Sequence, residues 1–210
     1  MNGARIEAEL KFRAEDERPL RELAAATVLG SAELGPARVV AEIDRYLDSA
    51  DLRLSALRWA CRLRTREGRT VVSLKGPAEH AAGDPLHRRP EIEGPASPVL
   101  EPISWPPSAA RDRLLAMSGG EPLLERFRLE QERTERAVMV DASRVGLLSL
   151  DRARLLRGGF EIGRLAVVEL ELEPGAELDH LPLADALAAV PGLVADPLSK
   201  FEHALALLAG

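Results

Sequence analysis

Two acidic rows and one basic row in this chain have residue types and spacing that could do chemistry. Glu7 and Glu9 stand two residues apart with Lys11 two further on, and Glu169, Glu171 and Glu173 repeat the acidic spacing far along the chain. Carboxylates at alternate positions of a strand share a face, where they repel unless cations or basic groups lie nearby. Carboxylate oxygens on neighbouring strands suit a hard divalent cation such as Mg²⁺ or Mn²⁺. The basic row is Arg62, Arg64 and Arg66, joined by Lys75 and Arg89. Such cations suit phosphate oxygens, and arginine can bind two at once. Acids and bases together describe a polyphosphate held between basic side chains and carboxylate-bound metal, the setting of metal-assisted phosphoryl chemistry. The chain has no Gly-rich loop ending in Gly-Lys-Ser/Thr, which excludes a P-loop site.

Strands must carry these rows. Residues 6–12 alternate strictly, with Ile6, Ala8, Leu10 and Phe12 on one face and Glu7, Glu9 and Lys11 on the other. Residues 58–65 alternate again, with Trp59, Cys61 and Leu63 opposite the arginines. Glu67-Gly68 reads as a hairpin turn into a strand over 70–75. Further strands are expected over 39–47, over 124–140 as one long strand or two, over 145–156 as a pair around Asp151, and over 166–173. Pro90 demotes the segment 88–93, after the loop 76–86, to a short or edge strand. Helices are expected over 19–29, 108–117, 183–190 and 197–208, and a short turn or helix over 52–57. Seven to nine strands in antiparallel succession, with helices between and after, predict an α+β fold on a closed or nearly closed sheet. A half-exposed sheet with solvated charges would be the ordinary reading of one such strand. The recurrence of the rows favours the inverse plan, with apolar outer faces covered by the helices near Pro19, Ser108, Leu183 and Pro197, and an ionic lumen.

Composition narrows the remaining classes. The 210 residues include 34 acids and 28 bases, a net charge of −6, which argues against a dedicated nucleic-acid binder. Aromatic residues at 3% leave little for base stacking. No apolar run approaches the roughly 20 residues of a membrane span, and the N-terminal residues lack the apolar core of a signal peptide. A cytoplasmic protein without membrane partners is therefore expected. Cys61 alone forms no internal disulfide or cysteine zinc site and should be an inert outer-core thiol. His80, His87, His180 and His203 lack metal-ligand spacing and are read as surface or loop residues. Trp59 and Trp105 are read as packing residues, and Tyr46 as holding the turn before the basic strand.

The segment Ile6-Glu7-Ala8-Glu9-Leu10-Lys11 resembles the ExExK signature of the CYTH family, the triphosphate tunnel metalloenzymes. Supporting blocks follow in family order. Tyr46 to Leu54 resembles the segment before the basic strand, Arg62-Leu63-Arg64 its paired arginines, and Ser73-Leu74-Lys75-Gly76 its lysine strand. Arg89 to Glu93, Glu169 to Glu173, and Ser199-Lys200-Phe201 resemble the later blocks. Ser49-Ala50 departs from the Thr-Pro common before the aspartate.

This resemblance implies one domain over residues 1–210, an eight-stranded antiparallel β-barrel with flanking helices, enclosing a tunnel for a triphosphate and Mg²⁺ or Mn²⁺. It implies metal ligation by Glu7, Glu9, Glu169 and Glu171, helped by Asp151 and by Glu93 or Glu91. Lys11, Arg62, Arg64, Lys75, Arg89 and Lys200 would bind phosphates. One more arginine is expected from the strand holding Arg126, Arg128 and Arg133. Arg133 fits best, though a bulge could turn another inward. The implied activity is a metal-dependent triphosphatase acting on inorganic triphosphate or a small organic triphosphate. Glu7, Glu9, Lys11, Glu169 and Glu171 would be at its chemical centre. The alternatives are a class IV type adenylate cyclase, a thiamine triphosphatase, or a non-catalytic polyphosphate- or nucleotide-binding module. The expected partner is the small-molecule triphosphate, and a homodimer is compatible with the sequence.

Overall fold

A computed structural model describes residues 4–79, 86–176 and 180–209. His80, Gly83 and Pro85 of the expected loop lie outside the described residues. Eight long strands run β1 (Arg5–Ala14), β4 (Arg38–Ser49), β5 (Ala60–Arg66), β6 (Arg69–Lys75), β7 (Leu86–Ala96), β8 (Leu123–Val140), β9 (Ser143–Arg157) and β10 (Phe160–Leu172). They pair antiparallel in the order β4-β5-β6-β7-β1-β10-β9-β8, and β8 pairs β4 to close the barrel. Short strands β2 (Val28–Leu29), β3 (Ala32–Leu34) and β11 (Leu193–Ala195) extend it at β8 and β1. Two-residue turns with positive φ at both positions join three strand pairs: Glu67-Gly68, Asp141-Ala142 and Gly158-Gly159. That twist matches the strands they connect.

Helices cover much of the outer face, as an ionic lumen inside an apolar coat requires, while Ile43, Glu132 and Arg154 leave the outside of β4, β8 and β9 open to solvent. Helix α1 (Arg18–Ala25) and helix α4 (Leu181–Ala188) cover Leu10, Phe12, Leu148, Val168 and Leu170 from outside. Helix α3 (Ala109–Ser118), with the one-turn α2 (Arg53–Ala56), covers Cys61, Leu63, Val72 and Leu74. Ser108 caps α3 by accepting from Arg111 N–H. Any Cβ at Gly94 would lie 2.4 Å from the Ser108 hydroxyl oxygen, so the approach of α3 to β7 requires glycine there. Trp105 is buried in this layer and donates to the Val99 carbonyl at 2.7 Å, and Trp59 packs against it. Both tryptophans are packing residues.

Several boundaries differ from expectation for physical reasons. The helix expected over 19–29 stops at Ala25, because Val28 and Leu29 pair with Glu33 and Ala32 across a turn at Gly30. Residues 145–156 form one continuous strand, because its pairing with β8 and β10 runs unbroken through Asp151. Pro90 does not make β7 an edge strand. Its carbonyl accepts from Gly76 N–H at 2.9 Å, just past the end of β6, so the N–H that proline lacks would also point beyond the ladder. Ile6, expected among the outer apolar residues, is exposed near the start of β1.

The last helix, α5 (Lys200–Ala209), does not join the outer coat. Phe201, Ala204 and Leu208 pack on Tyr46, Phe127, Leu129, Ala153 and Leu155. Register places these strand residues on the inward face, since Tyr46 lies opposite Arg62 and Leu129 opposite Asp44. The lumen is therefore apolar at one end and α5 plugs it. Tyr46 stacks on Phe127 at 4.7 Å between ring centroids. Asp48, not Tyr46, holds the turn before β5, accepting from the N–H groups of Leu54 and Ser55 and from the Ser55 hydroxyl.

Candidate functional site

A cavity of about 230 Å³ occupies the polar part of the barrel. Cross-strand register builds it rung by rung. Glu7 faces Arg89, Glu9 faces Glu171, and Lys11 faces Glu169. Lys75 faces Glu91, Arg62 faces Ser73, and Arg133 faces Asp151. Glu7, Glu9, Lys11, Arg62, Arg64, Lys75, Arg89, Glu91, Glu93, Asp151, Glu169 and Glu171 share the inward strand faces, and Lys200 reaches them from α5. Arg133 is the inward arginine of β8. The ladder to β4 slips one residue at Arg126, but no slip separates Arg128 from Arg133, so Arg128 stays outside and binds Glu125.

The acids and bases form three connected groups. In the first, Lys75 Nζ donates to both oxygens of Glu7 at 2.7 and 2.8 Å, and Arg89 reaches Glu7 at 2.9 Å and Glu9 at 2.8 Å. Lys11 lies 3.1 Å from Glu9. Burial works against the Glu9 charge, yet Arg89 and Lys11 bring its carboxyl down to about 2. In the second, Arg133 grips Asp151 through two hydrogen bonds of 2.7 Å, and Lys200 bonds both Asp151 and Glu169. Despite burial, Lys200 and Arg133 hold the Glu169 carboxyl well below its usual range. Lys200 enters at the first turn of α5, so the plug helix also delivers a cation.

The third group was not singled out from the sequence. Asp44 takes two hydrogen bonds of 2.7 Å from Arg64, and Glu42 lies 3.3 Å from Arg64 and 3.2 Å from Arg66. Gln131 donates to Glu42, and Glu135 receives both terminal nitrogens of Arg66. The signal was the alternation of Val40, Glu42, Asp44 and Tyr46, which by itself reads as an ordinary polar face.

Arg62 differs from the other inward cations. Its side chain is half-buried, its Nε is buried with no hydrogen-bond acceptor, and the nearest carboxylates, of Asp44 and Glu91, stand 3.9 Å away. Ser73 accepts one long bond from it at 3.3 Å. Asp44 and Glu91 hold its charge from 3.9 Å despite burial, and its unpaired Nε leaves donor capacity for a further anion.

The carboxylates match the oxygen donors a hard divalent ion takes. Among the described residues, however, no three acidic, histidine or cysteine side chains converge on one point. The bonds to Lys75, Arg89 and Lys200 hold the acids apart. One pair nevertheless shares a cationic atom, since Arg5 Nη2 lies 2.8 Å from Glu91 and 3.1 Å from Glu171. Burial and the neighbouring Glu7 raise the Glu171 carboxyl above its usual value despite Arg5. Glu171 is thus the least neutralised acid of this corner, and its oxygens with those of Glu7 and Glu91 are donors that fit a divalent cation. Cys61 lies in the outer core, where burial pushes its thiol up, as expected of an inert group. No helix among the described residues is long and apolar enough to cross a membrane.

The chain matches the sequence profile of the CYTH domain over residues 5–204. No curated protein matches it. Among solved structures, a candidate adenylyl cyclase from Hippeastrum, described as having a dominant triphosphatase activity, is similar at TM-score 0.68 and 20% identity, covering 95% of each chain. A candidate adenylate cyclase from Bacillus halodurans is similar at TM-score 0.62 and 21% identity, covering 96% of this chain and 98% of that one. The mimivirus capping-enzyme triphosphatase reaches TM-score 0.53 at 9% identity, over 88% of this chain and 90% of that one. At these identities the likeness is one of fold.

Proposed function

Since the chain belongs to the CYTH family, we propose that it is a divalent-metal-dependent triphosphatase acting on inorganic triphosphate or a small organic triphosphate. The observation that carries this reading is Arg62, a lumenal arginine whose buried Nε has no acceptor and which has no carboxylate closer than 3.9 Å. A phosphate oxygen supplies the missing partner. Arg64, Lys75, Arg89, Arg133 and Lys200 line the same cavity and extend the clamp along a phosphate chain.

Glu7, Glu9 and Glu171 would hold Mg²⁺ or Mn²⁺, with Glu91 and Glu93 nearby and Asp151 set back behind Arg133 and Lys200, and the ion would polarise the terminal phosphoryl group. The chain's own residues do the rest by position and charge. Lys11 and the arginines stabilise negative charge on the equatorial and leaving oxygens. Glu169 orients the attacking water by accepting a hydrogen bond. Its depressed carboxyl makes it a poor proton acceptor, which a loose phosphoryl-transfer transition state tolerates. The surrounding apolar coat and the α5 plug limit competing water.

The test is a substrate panel of inorganic triphosphate, ATP and thiamine triphosphate with Mg²⁺ or Mn²⁺, measuring released phosphate and cyclic AMP. Phosphate release that is lost in Glu9→Ala is expected. Cyclic AMP with pyrophosphate and no free phosphate would make the chain a cyclase, and binding without turnover would make it a binding module.

A further inference from the structure

Arg5 lies on the inward face of β1, opposite Glu91 and two residues before Glu7. Its Nε and Nη2 bond one oxygen of Glu91 at 3.2 and 2.8 Å, and Nη2 also reaches Glu171 at 3.1 Å. One cationic nitrogen thus bridges carboxylates from the two strands that flank β1, which is the position a bound cation would take between them. Its setting differs from that of the other bases here. The Arg5 side chain is 56% exposed, whereas Lys75 and Arg89 are 11% and 12% exposed. Arg5 can therefore swing into water without uncovering the core or leaving a buried charge unpaired. Lys75 and Arg89 cannot.

We infer that Arg5 is a tethered counter-cation for Glu91 and Glu171 that a divalent ion must displace, so that Arg5 sets the affinity of this chain for its metal. The inference rests on the functional reading above only in placing the metal at Glu171, with Glu91 beside it. In the metal-free protein Arg5 offsets the repulsion among Glu7, Glu91 and Glu171. When the ion arrives, the guanidinium leaves for solvent at the mouth. Removing its charge removes a competitor and leaves the acids unscreened. A unit charge about 4 Å away in a water-like setting changes affinity about fivefold, and more where the site is drier.

The experiment is calorimetric titration of Mn²⁺ into the full chain without substrate, for wild type, Arg5→Gln, Arg5→Lys and Arg144→Gln. Arg144 pairs with Glu173 at the same mouth, so its variant controls for net charge. Arg5→Gln should bind Mn²⁺ at least about fivefold more tightly than wild type. It should also melt lower without metal and gain more from saturating Mn²⁺. Arg5→Lys, which keeps the charge, should stay near wild type, and Arg144→Gln should not change affinity. Equal Mn²⁺ affinity in wild type and Arg5→Gln overturns the inference and leaves the functional reading standing, and so does equal tightening in Arg144→Gln. Absence of Mn²⁺ binding in every protein overturns both.

Discussion

Replacing Asp151 by asparagine separates a structural counter-ion from a dispensable one. Its carboxylate is wholly buried, accepts two bonds of 2.7 Å from Arg133, and also receives Lys200. Asparagine keeps the shape but brings no charge, and its amide would present N–H groups to cations that donate already. Arg133 and Lys200 would then share Glu169, with Glu42 a further 3.7 Å contact for Arg133. Breaking a buried ion pair from one side costs about 3–5 kcal/mol, and the remaining acids place this case near the lower figure. For a chain of this length, about 3 kcal/mol corresponds to a fall in Tm of roughly 6–12 °C. Adding inorganic triphosphate without metal should close much of that gap, because phosphate oxygens replace the lost carboxylate beside the two cations. The assay is thermal unfolding of wild type and Asp151→Asn, with and without triphosphate. A variant melting within about 2 °C of wild type would refute the claim that these cations need an internal anion. Equal stabilisation of both proteins by triphosphate would refute the claim that the anion they accept is phosphate.

Arg62→Ala should weaken triphosphate binding about 10- to 100-fold with a smaller fall in Tm than Asp151→Asn, since Asp44 and Glu91 stand 3.9 Å from it and keep closer cations in Arg64 and Lys75. Calorimetry with inorganic triphosphate and a melting curve check both halves, and Arg62→Lys should recover part of the affinity. Phe127→Ala should lose about 3–5 kcal/mol by opening a cavity under α5, where Phe127 is buried against Tyr46 and Phe201. Urea unfolding measures the loss, and a change below about 1 kcal/mol would deny α5 its role as a packed plug. Glu9 has a folded carboxyl near 2 against an ordinary 4.5, so its ion pairs contribute fully above about 4.5 and that contribution is lost as pH falls through about 2. Urea midpoints at a series of acid pH values should decline across that window, more steeply in wild type than in Glu9→Gln. Parallel declines would show that Glu9 is not a linked group.

Much of the site could be read locally. Alternation assigns Glu7, Glu9 and Lys11 to one face, and Arg62, Arg64 and Arg66 to another, because successive side chains of a strand point to opposite sides. Fit to the family block favoured Arg133 over Arg128, and the structure turns Arg133 inward because the slip in register falls at Arg126. Glu42, Asp44 and Glu135 escaped notice because a short acidic alternation looks the same on a wet face as in a lumen. The strand break expected at Asp151 failed because a buried acid within an apolar run resembles a turn residue when its cation, Arg133, is 18 residues away.

The sequence by itself determined which residues share a strand face, that acids and bases recur in separate rows, and the family to which the blocks belong. Only tertiary structure decided which face is the inside. Closure of β8 onto β4 converts charged faces into a lumen, and closure depends on pairing between residues 74 to 97 positions apart, from Ser49 with Leu123 to Arg38 with Glu135. Register then chose the partners, giving Glu7 to Lys75, Asp151 to Arg133, and leaving Arg62 without a close carboxylate. It also turned Tyr46, Phe127 and Leu129 inward at one end, so that α5 became a plug rather than an outer cover. Side-chain parity is local, but the inside of a barrel exists only once the chain has met itself.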